Sequence, residues 1–269
     1  LDVGEAGGSR PAGEGTLMDH RVDYSIFAQV YDRLMDKDMY PRWQHYVQSS
    51  MPVGMTGTLL DLGCGSGDFA VQMAQAGWTV TGLDLSPEML TLAEARAEQA
   101  GVDVTWVQGD MRRLTGLGTF DAVTSFDDSL CYLPDLTAVQ ETLLAAAGVL
   151  VPGGYFFCDV HSLHQTDDVF PGFMYNDITE DSAFLWTTYA GELPHSVEHE
   201  LTFFTYDEEI DGYTRAMEIQ HERTYPLADY QRGLTQAGLI DVQATADFGT
   251  APVTADTTRW FLQGIRPNA

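Results

Sequence analysis

TLLDLGCGSGDFA, residues 58–70, sets Gly63, Gly65 and Gly67 at alternate positions directly behind an apolar run. Glycine has no Cβ, so this spacing describes a loop that turns sharply and lets a ligand approach the backbone closely. TGTLLDLG reads as a buried strand ahead of the loop, and DFAVQMAQAG behind it reads as a helix closed by Gly77. The charge of the loop then bears on what it holds. A dinucleotide site needs G-x-G-x-x-G, with its third glycine where the helix packs on the strand and the pyrophosphate on the helix N-terminus. Here position 68 is Asp, and Asp61 precedes the glycines. Two carboxylates repel a pyrophosphate and suit a ligand without phosphates that carries a cationic amino group.

Outward from the loop the same unit repeats. WTVTGLDLS is a second strand, and SPEMLTLAEARAEQAG a helix with Ser86 as N-cap, Pro87 in the first turn and Gly101 as C-cap. VTWVQGD and FDAVTSFDD follow as strands, then a helix over 136–147, and after VPGG a fifth strand, YFFCDVH, at 155–161. Residues 165–225 break the rhythm: AFLWTTYAG, SVEHELTFFTYDE and YTRAMEIQHERTYP are rich in aromatic and β-branched residues, with a turn at Asp211-Gly212. LADYQRGLTQAGL is the last helix, and IDVQATADF and RWFLQGIR are closing strands. The expected fold is α/β: a Rossmann-like, doubly wound, mostly parallel seven-stranded sheet with an inserted antiparallel β subdomain and ligand sites at the carboxyl ends of its strands. The expected division is a flexible Gly-rich tail (1–17), amphipathic helices (18–50), the core (51–164), the inserted sheet (165–225), and the final helix with its strands (226–269).

The chain has 13 Lys plus Arg against 40 Asp plus Glu, a formal charge of −27, which disfavours phosphate backbones. Its nearest approach to a basic patch is Arg112-Arg113. Cys64, Cys131 and Cys158 lie far apart without any C-x-x-C pair, so neither a disulfide framework nor a zinc site is expected, and the compartment is expected to be reducing, hence cytoplasmic. No apolar run approaches the roughly 18 residues of a membrane span. His195 and His199 have H-x-x-x-H spacing but fall in the stretch read as inserted sheet, no H-E-x-x-H pattern occurs, and no metal is expected.

D-L-G-C-G-S-G at 61–67 resembles motif I of the class I S-adenosylmethionine-dependent methyltransferases, and further motifs follow in register. Asp84, ending the second strand, matches the acid that takes the two ribose hydroxyls in that family, a task that suits a carboxylate's paired acceptors. QGDMRRL resembles the third motif, which implies that Asp110 accepts from the adenine amino group and that Met111 donates its backbone N–H. FDAVTSFDDSLCYL and LVPGGYFFCDV resemble the next segments. YSIFAQVYDRLM and the stretch ending HERTYPLADYQRGLTQAGL resemble a group of bacterial small methyltransferases of poorly defined substrate, in which a helical Tyr lies over the cofactor. Tyr31 matches it, with Tyr24 a second candidate, so the N-terminal helices are expected to cover the cofactor. The resemblance implies S-adenosyl-L-methionine as cofactor, held by Tyr31, Asp61, Gly63, Cys64, Gly65, Asp84, Leu85, Met89, Asp110, Met111, Ser125 and Phe126.

A sulfonium is an activated methyl donor, so the protein must align the reactants and exclude water, and a base is not obligatory. The candidates lie past the fourth and fifth strands: Asp127, Asp128, Tyr132, His161 and His164, with His161 and Asp128 selected as catalytic. No N-P-P-Y or D-P-P-Y stretch follows the fourth strand, and no P-C dipeptide of the kind carried by cytosine C5 enzymes is present. The expected activity is in-line methyl transfer to an N or O nucleophile of a small molecule. Alternatives are an RNA (tRNA or rRNA) methyltransferase, a non-catalytic S-adenosylmethionine-binding protein and an NAD-dependent oxidoreductase. The aromatics Phe170, Phe173, Tyr175, Trp186, Phe203 and Tyr213 suit either a lid over the acceptor or a sheet packed on the core or on a second copy in a homodimer.

Overall fold

The computed structural model describes residues 37–268. The expected tail and first helix, with Tyr24 and Tyr31, lie outside the described residues. The chain enters through α1 (Met39–Ser49) and then alternates β1 (Thr58–Leu62), α2 (Asp68–Gln75), β2 (Thr79–Asp84), α3 (Pro87–Ala100), β3 (Val104–Gln108) and β4 (Phe120–Ser125). After α4 (Leu136–Val149) comes β5 (Leu150–His161), and the chain closes with α5 (Leu227–Gln236), β10 (Ile240–Thr245) and β11 (Arg259–Ile265). These strands form a seven-stranded sheet in the order β3-β2-β1-β4-β5-β11-β10. β11 is antiparallel to β5 and to β10, while the neighbours from β3 to β5 are parallel. Strand order reverses between β1 and β4, and such a switch point opens a crevice at the carboxyl ends of the strands.

Helices cover both faces, which is why β1, β4 and the second half of β5 are almost continuously buried instead of alternating. Successive residues still feed opposite layers: Leu59 packs with Trp43, Tyr46, Phe69 and Met73 of α1 and α2, and Leu60 with Val139, Leu143 and Tyr230 of α4 and α5. Local chemistry supports the helix boundaries. The Ser86 Oγ accepts the Met89 N–H at 3.1 Å, the Asp135 carboxylate accepts the Ala138 N–H at 2.9 Å, and Gly101 closes α3 in the left-handed region.

The inserted unit is a four-stranded antiparallel sheet, β6 (Met174–Ile178), β7 (Ser182–Ala190), β8 (Ser196–Asp207) and β9 (Gly212–Arg223), in chain order. Three of these strands are expected from sequence. β6, MYNDI, escapes because it is a short, largely exposed edge strand carrying Asn and Asp, which β propensity disfavours. β5 begins at Leu150 instead of Tyr155: the VPGG segment reads as a turn, yet Gly153 and Gly154 exchange backbone hydrogen bonds with Arg266.

Candidate functional site

The glycine loop folds over the end of β2. The Gly63 and Cys64 N–H groups both donate to the Leu83 carbonyl, at 2.8 and 3.1 Å. The Gly65 and Ser86 N–H groups donate to the two oxygens of Asp84, at 2.8 and 2.9 Å. That pair fixes the carboxylate in one orientation at the strand end and leaves further lone pairs for a ligand. Gly65 has φ +51°, and a Cβ there would meet nothing within 4 Å among the described residues, which leave the loop open on that side. Gly67 serves packing instead: at φ +81° its Cβ would stand 2.7 Å from the Ala93 Cβ and the Trp106 ring.

Of the two loop carboxylates, Asp61 and Asp68, it is Asp61 that has no cationic partner among the described residues. Asp68 pairs with Arg96 and accepts from the Ser66 hydroxyl at 3.1 Å. Asp61 is buried, and among the described residues its one side-chain donor is the Thr124 hydroxyl at 2.8 Å. Burial, with a smaller push from Asp84, raises its carboxyl to about 7. A cationic group beside it would favour ionisation.

A cavity of about 440 Å³ opens here, at the switch point between β1 and β4. Of the residues expected to hold a cofactor, Asp61, Gly63, Cys64, Gly65, Asp84, Leu85, Met89, Asp110, Met111 and Phe126 line it. Ser125 does not line it and is wholly buried at the end of β4, and Tyr31 lies outside the described residues. Among the described lining residues Arg112 carries the one cationic side chain, and it is folded back onto Asp110. Its Nε reaches both carboxylate oxygens at 2.9 and 3.0 Å, holding the Asp110 carboxyl down at about 2. Sequence reasoning missed Tyr40 and Trp43 from α1, Ser129 from the turn after β4, and Glu218 and Gln220 from β9. The signal available for the last two was their alternation along a strand: Ala216, Glu218, Gln220 and Glu222 share one face.

Neither Asp128 nor His161, selected from sequence as catalytic, lines the cavity; Asp127 and Tyr132 do. Asp128 and His161 belong to a buried polar network behind it. The Asp128 N–H donates to Asp159 at 2.9 Å, and Arg259 reaches Asp128 at 2.5 Å and Asp159 at 3.1 Å. The Trp43 indole N–H donates to the other Asp159 oxygen at 2.7 Å, tying α1 to the network. On the far side the His161 Nε2 stands 3.3 Å from Asp128 and 3.2 Å from Glu222. Glu222 in turn faces the His199 Nε2 at 3.3 Å, and the Trp186 indole N–H donates to the His199 Nδ1 at 3.0 Å. Burial works against a charged His161, but the carboxylates of Asp128 and Glu222 outweigh it and raise the ring to about 9. Asp128 is held far below the usual carboxylate range because Arg259 and His161 overcome its own burial. A ring protonated at neutral pH has no lone pair with which to take a proton.

Asp128, His161 and Glu222 each place a potential ligand atom within 4.8 Å of the others, a convergence hidden in sequence by their wide separation. Positive charge at that point comes from Arg259 and the His161 ring. His164 lies elsewhere, 3.0 Å from Asp168.

A family model described as a methyltransferase domain matches residues 59–154. The chain is 40% identical over 245 residues to a "Putative methyltransferase" of Geobacillus sp. (strain WCH70), covering 90% of this chain and 98% of that one. Its fold superposes on a crystal structure of an S-adenosylmethionine-dependent methyltransferase from Clostridium acetobutylicum ATCC 824 with a TM-score of 0.77 at 24% identity, over 91% of this chain and 99% of that one. The sugar N-methyltransferase KedS8 from Streptoalloteichus sp ATCC 53650 superposes with a TM-score of 0.75 at 22% identity, over 97% and 100% of the two chains.

Proposed function

This chain belongs to the class I S-adenosylmethionine-dependent methyltransferases, and on that premise we propose that it methylates a nitrogen or oxygen nucleophile of a small molecule. The methyl donor is S-adenosylmethionine, which supplies an already activated methyl group on its sulfonium. The observation that carries the assignment of the binding residues is the Asp84 carboxylate, pinned by the Gly65 and Ser86 N–H groups beside an open loop. In this reading Asp84 takes the ribose hydroxyls, the bare backbone at Gly65 lets the ligand close in, and Asp61 faces the ammonium of the methionine end. Met89, Asp110 and Met111 flank the base. Asp128 and His161 support the turn that presents Asp127 to the cavity and do not take the acceptor's proton.

Three features support a small acceptor. The cavity walls are acidic, the formal charge of −27 disfavours nucleic acid, and a sugar N-methyltransferase shares the fold. We place the protein in the cytoplasm: all three cysteines are free and buried, and among the described residues no helix is long and apolar enough to cross a membrane.

Calorimetry with S-adenosylmethionine, S-adenosylhomocysteine and NAD tests the site. The two sulfur ligands should bind and NAD should not. Asp84→Ala should weaken sulfur-ligand binding by about 1–3 kcal/mol, the value of a charge-assisted hydrogen-bond pair. Unchanged affinity would show that the ribose lies elsewhere.

A further inference from the structure

One face of β9 contributes Glu218 and Gln220 to the cavity wall. Ala216 packs on the Phe184, Leu201 and Phe203 cluster, as does Met89, and Glu222 ends in the His161 network. The Tyr132 hydroxyl donates to the Gln220 Oε1 at 3.2 Å, joining β9 to the turn after β4. The Gln220 side-chain N–H donates to the Glu218 Oε1 at 3.0 Å. Among the described residues the other Glu218 oxygen is buried with no hydrogen-bond partner. We propose that Glu218 binds the methyl acceptor and takes its proton, and that the acceptor is a small-molecule amine. This inference rests on the methyltransferase reading above and specifies its substrate class.

Two observations select an amine. First, a buried carboxylate oxygen without a donor is costly, and an ammonium N–H is the ligand group that relieves it best. Burial also raises the Glu218 carboxyl, against the weaker effect of the Gln220 hydrogen bond, which makes it a better proton acceptor. Second, the surrounding charge is of one sign. Asp127 follows β4, Asp61 and Asp84 end β1 and β2, and the guanidinium of Arg112 is already committed to Asp110. An anionic acceptor beside Glu218 would meet that carboxylate and Asp127. An alcohol is too weak an acid to lose its proton to a carboxylate, whereas an alkylammonium, with an ordinary pKa of about 10, can do so as the reaction proceeds.

The step balances. The ammonium gives one proton to Glu218, and the freed nitrogen lone pair forms the C–N bond. The methyl C–S bond breaks with its electron pair left on sulfur. The products are an N-methylammonium, a thioether and a proton on Glu218 that returns to solvent.

The test uses acceptors of matched scaffold, glucosamine, glucose and glucuronate, and benzylamine, benzyl alcohol and benzoate. Binding is measured by calorimetry to the complex with S-adenosylhomocysteine, and label transfer is followed from methyl-labelled S-adenosylmethionine. Amines should bind in preference to their twins and carry the label on nitrogen. Glu218→Gln should lower amine binding and turnover by about 10–100-fold while S-adenosylhomocysteine affinity stays within about twofold, and Glu218→Asp should retain part of both. Label on oxygen, no preference for amines, or amine binding unchanged in Glu218→Gln overturns the proposal. Failure of the unaltered protein to bind S-adenosylhomocysteine overturns instead the site on which it rests.

Discussion

Arg259→Met is expected to destabilise the protein by about 3–5 kcal/mol, because it strips the compensating charge from two buried carboxylates at once. Arg259 bridges Asp128 and Asp159, and without it the imidazolium of His161 faces Asp128 and Glu222 while, among the described residues, Asp159 keeps two neutral donors, the Trp43 indole and the Asp128 N–H. Urea unfolding followed by circular dichroism measures the loss. In a chain of this size a fall in Tm of roughly 10 °C should accompany it. Adding Asp159→Asn to Arg259→Met should restore part of the stability, since the uncompensated charge and not the missing side chain carries most of the cost. A loss below about 1 kcal/mol in the single variant would mean that water already screens the cluster.

The second large effect is a dependence of stability on pH in the ligand-free protein. Asp61 has its carboxyl raised to about 7, so between its unfolded value near 4 and pH 7 the folded state holds a proton that the unfolded state has lost. Stability therefore falls as pH rises across that window, by up to roughly 4 kcal/mol. His161 adds a second window: its contribution is complete below an unfolded pKa of about 6.5 and is lost as pH rises through about 9, up to roughly 3 kcal/mol. Asp128 acts in the opposite sense in acid, so the informative quantity is a difference between variants. Asp61→Asn should remove the slope between pH 4 and 7 while leaving the alkaline one. Saturating S-adenosylmethionine should flatten the same acid window, and its affinity should drop about tenfold per pH unit below pH 7, where Asp61 must first release its proton. If wild type and Asp61→Asn have parallel stability profiles, the carboxylate is not the buried acid described here.

Much of this molecule is legible in its sequence because its signals are local. The glycine loop, the Ser86 cap, the strand-ending Asp84 and the alternation of strands with helices each occupy a few consecutive residues, and the structure brings their side chains to one cavity. What was not legible depends on distant partners. Asp68 looked like a charge facing the ligand until Arg96, in the next helix, was seen to neutralise it. His161 at a strand end has the residue type and position of a base, and it is Asp128, together with Glu222 reaching in from the inserted sheet, that raises its ring and holds the proton. Glu218 is one acid among 40 in the chain, and nothing in its neighbours marks it until the β8–β9 register places it on the cavity side.

That register has a consequence for how the acceptor site can change. Asp207 pairs with Gly212, so a four-residue connection, Glu208 to Asp211, determines which side chains of β9 face inward. Lengthening the connection by one residue and shifting the strand would turn Met217 and Ile219 toward the ligand and send Glu218 and Glu222 to solvent, exchanging a charged wall for an oily one in a single insertion. Substituting position 216, 218 or 220 alone would recut the wall one side chain at a time and leave the glycine loop and Asp84 untouched. The hairpin is thus both a ruler and an interchangeable template, and descendants of this chain could acquire new acceptors by editing it while inheriting the donor site whole.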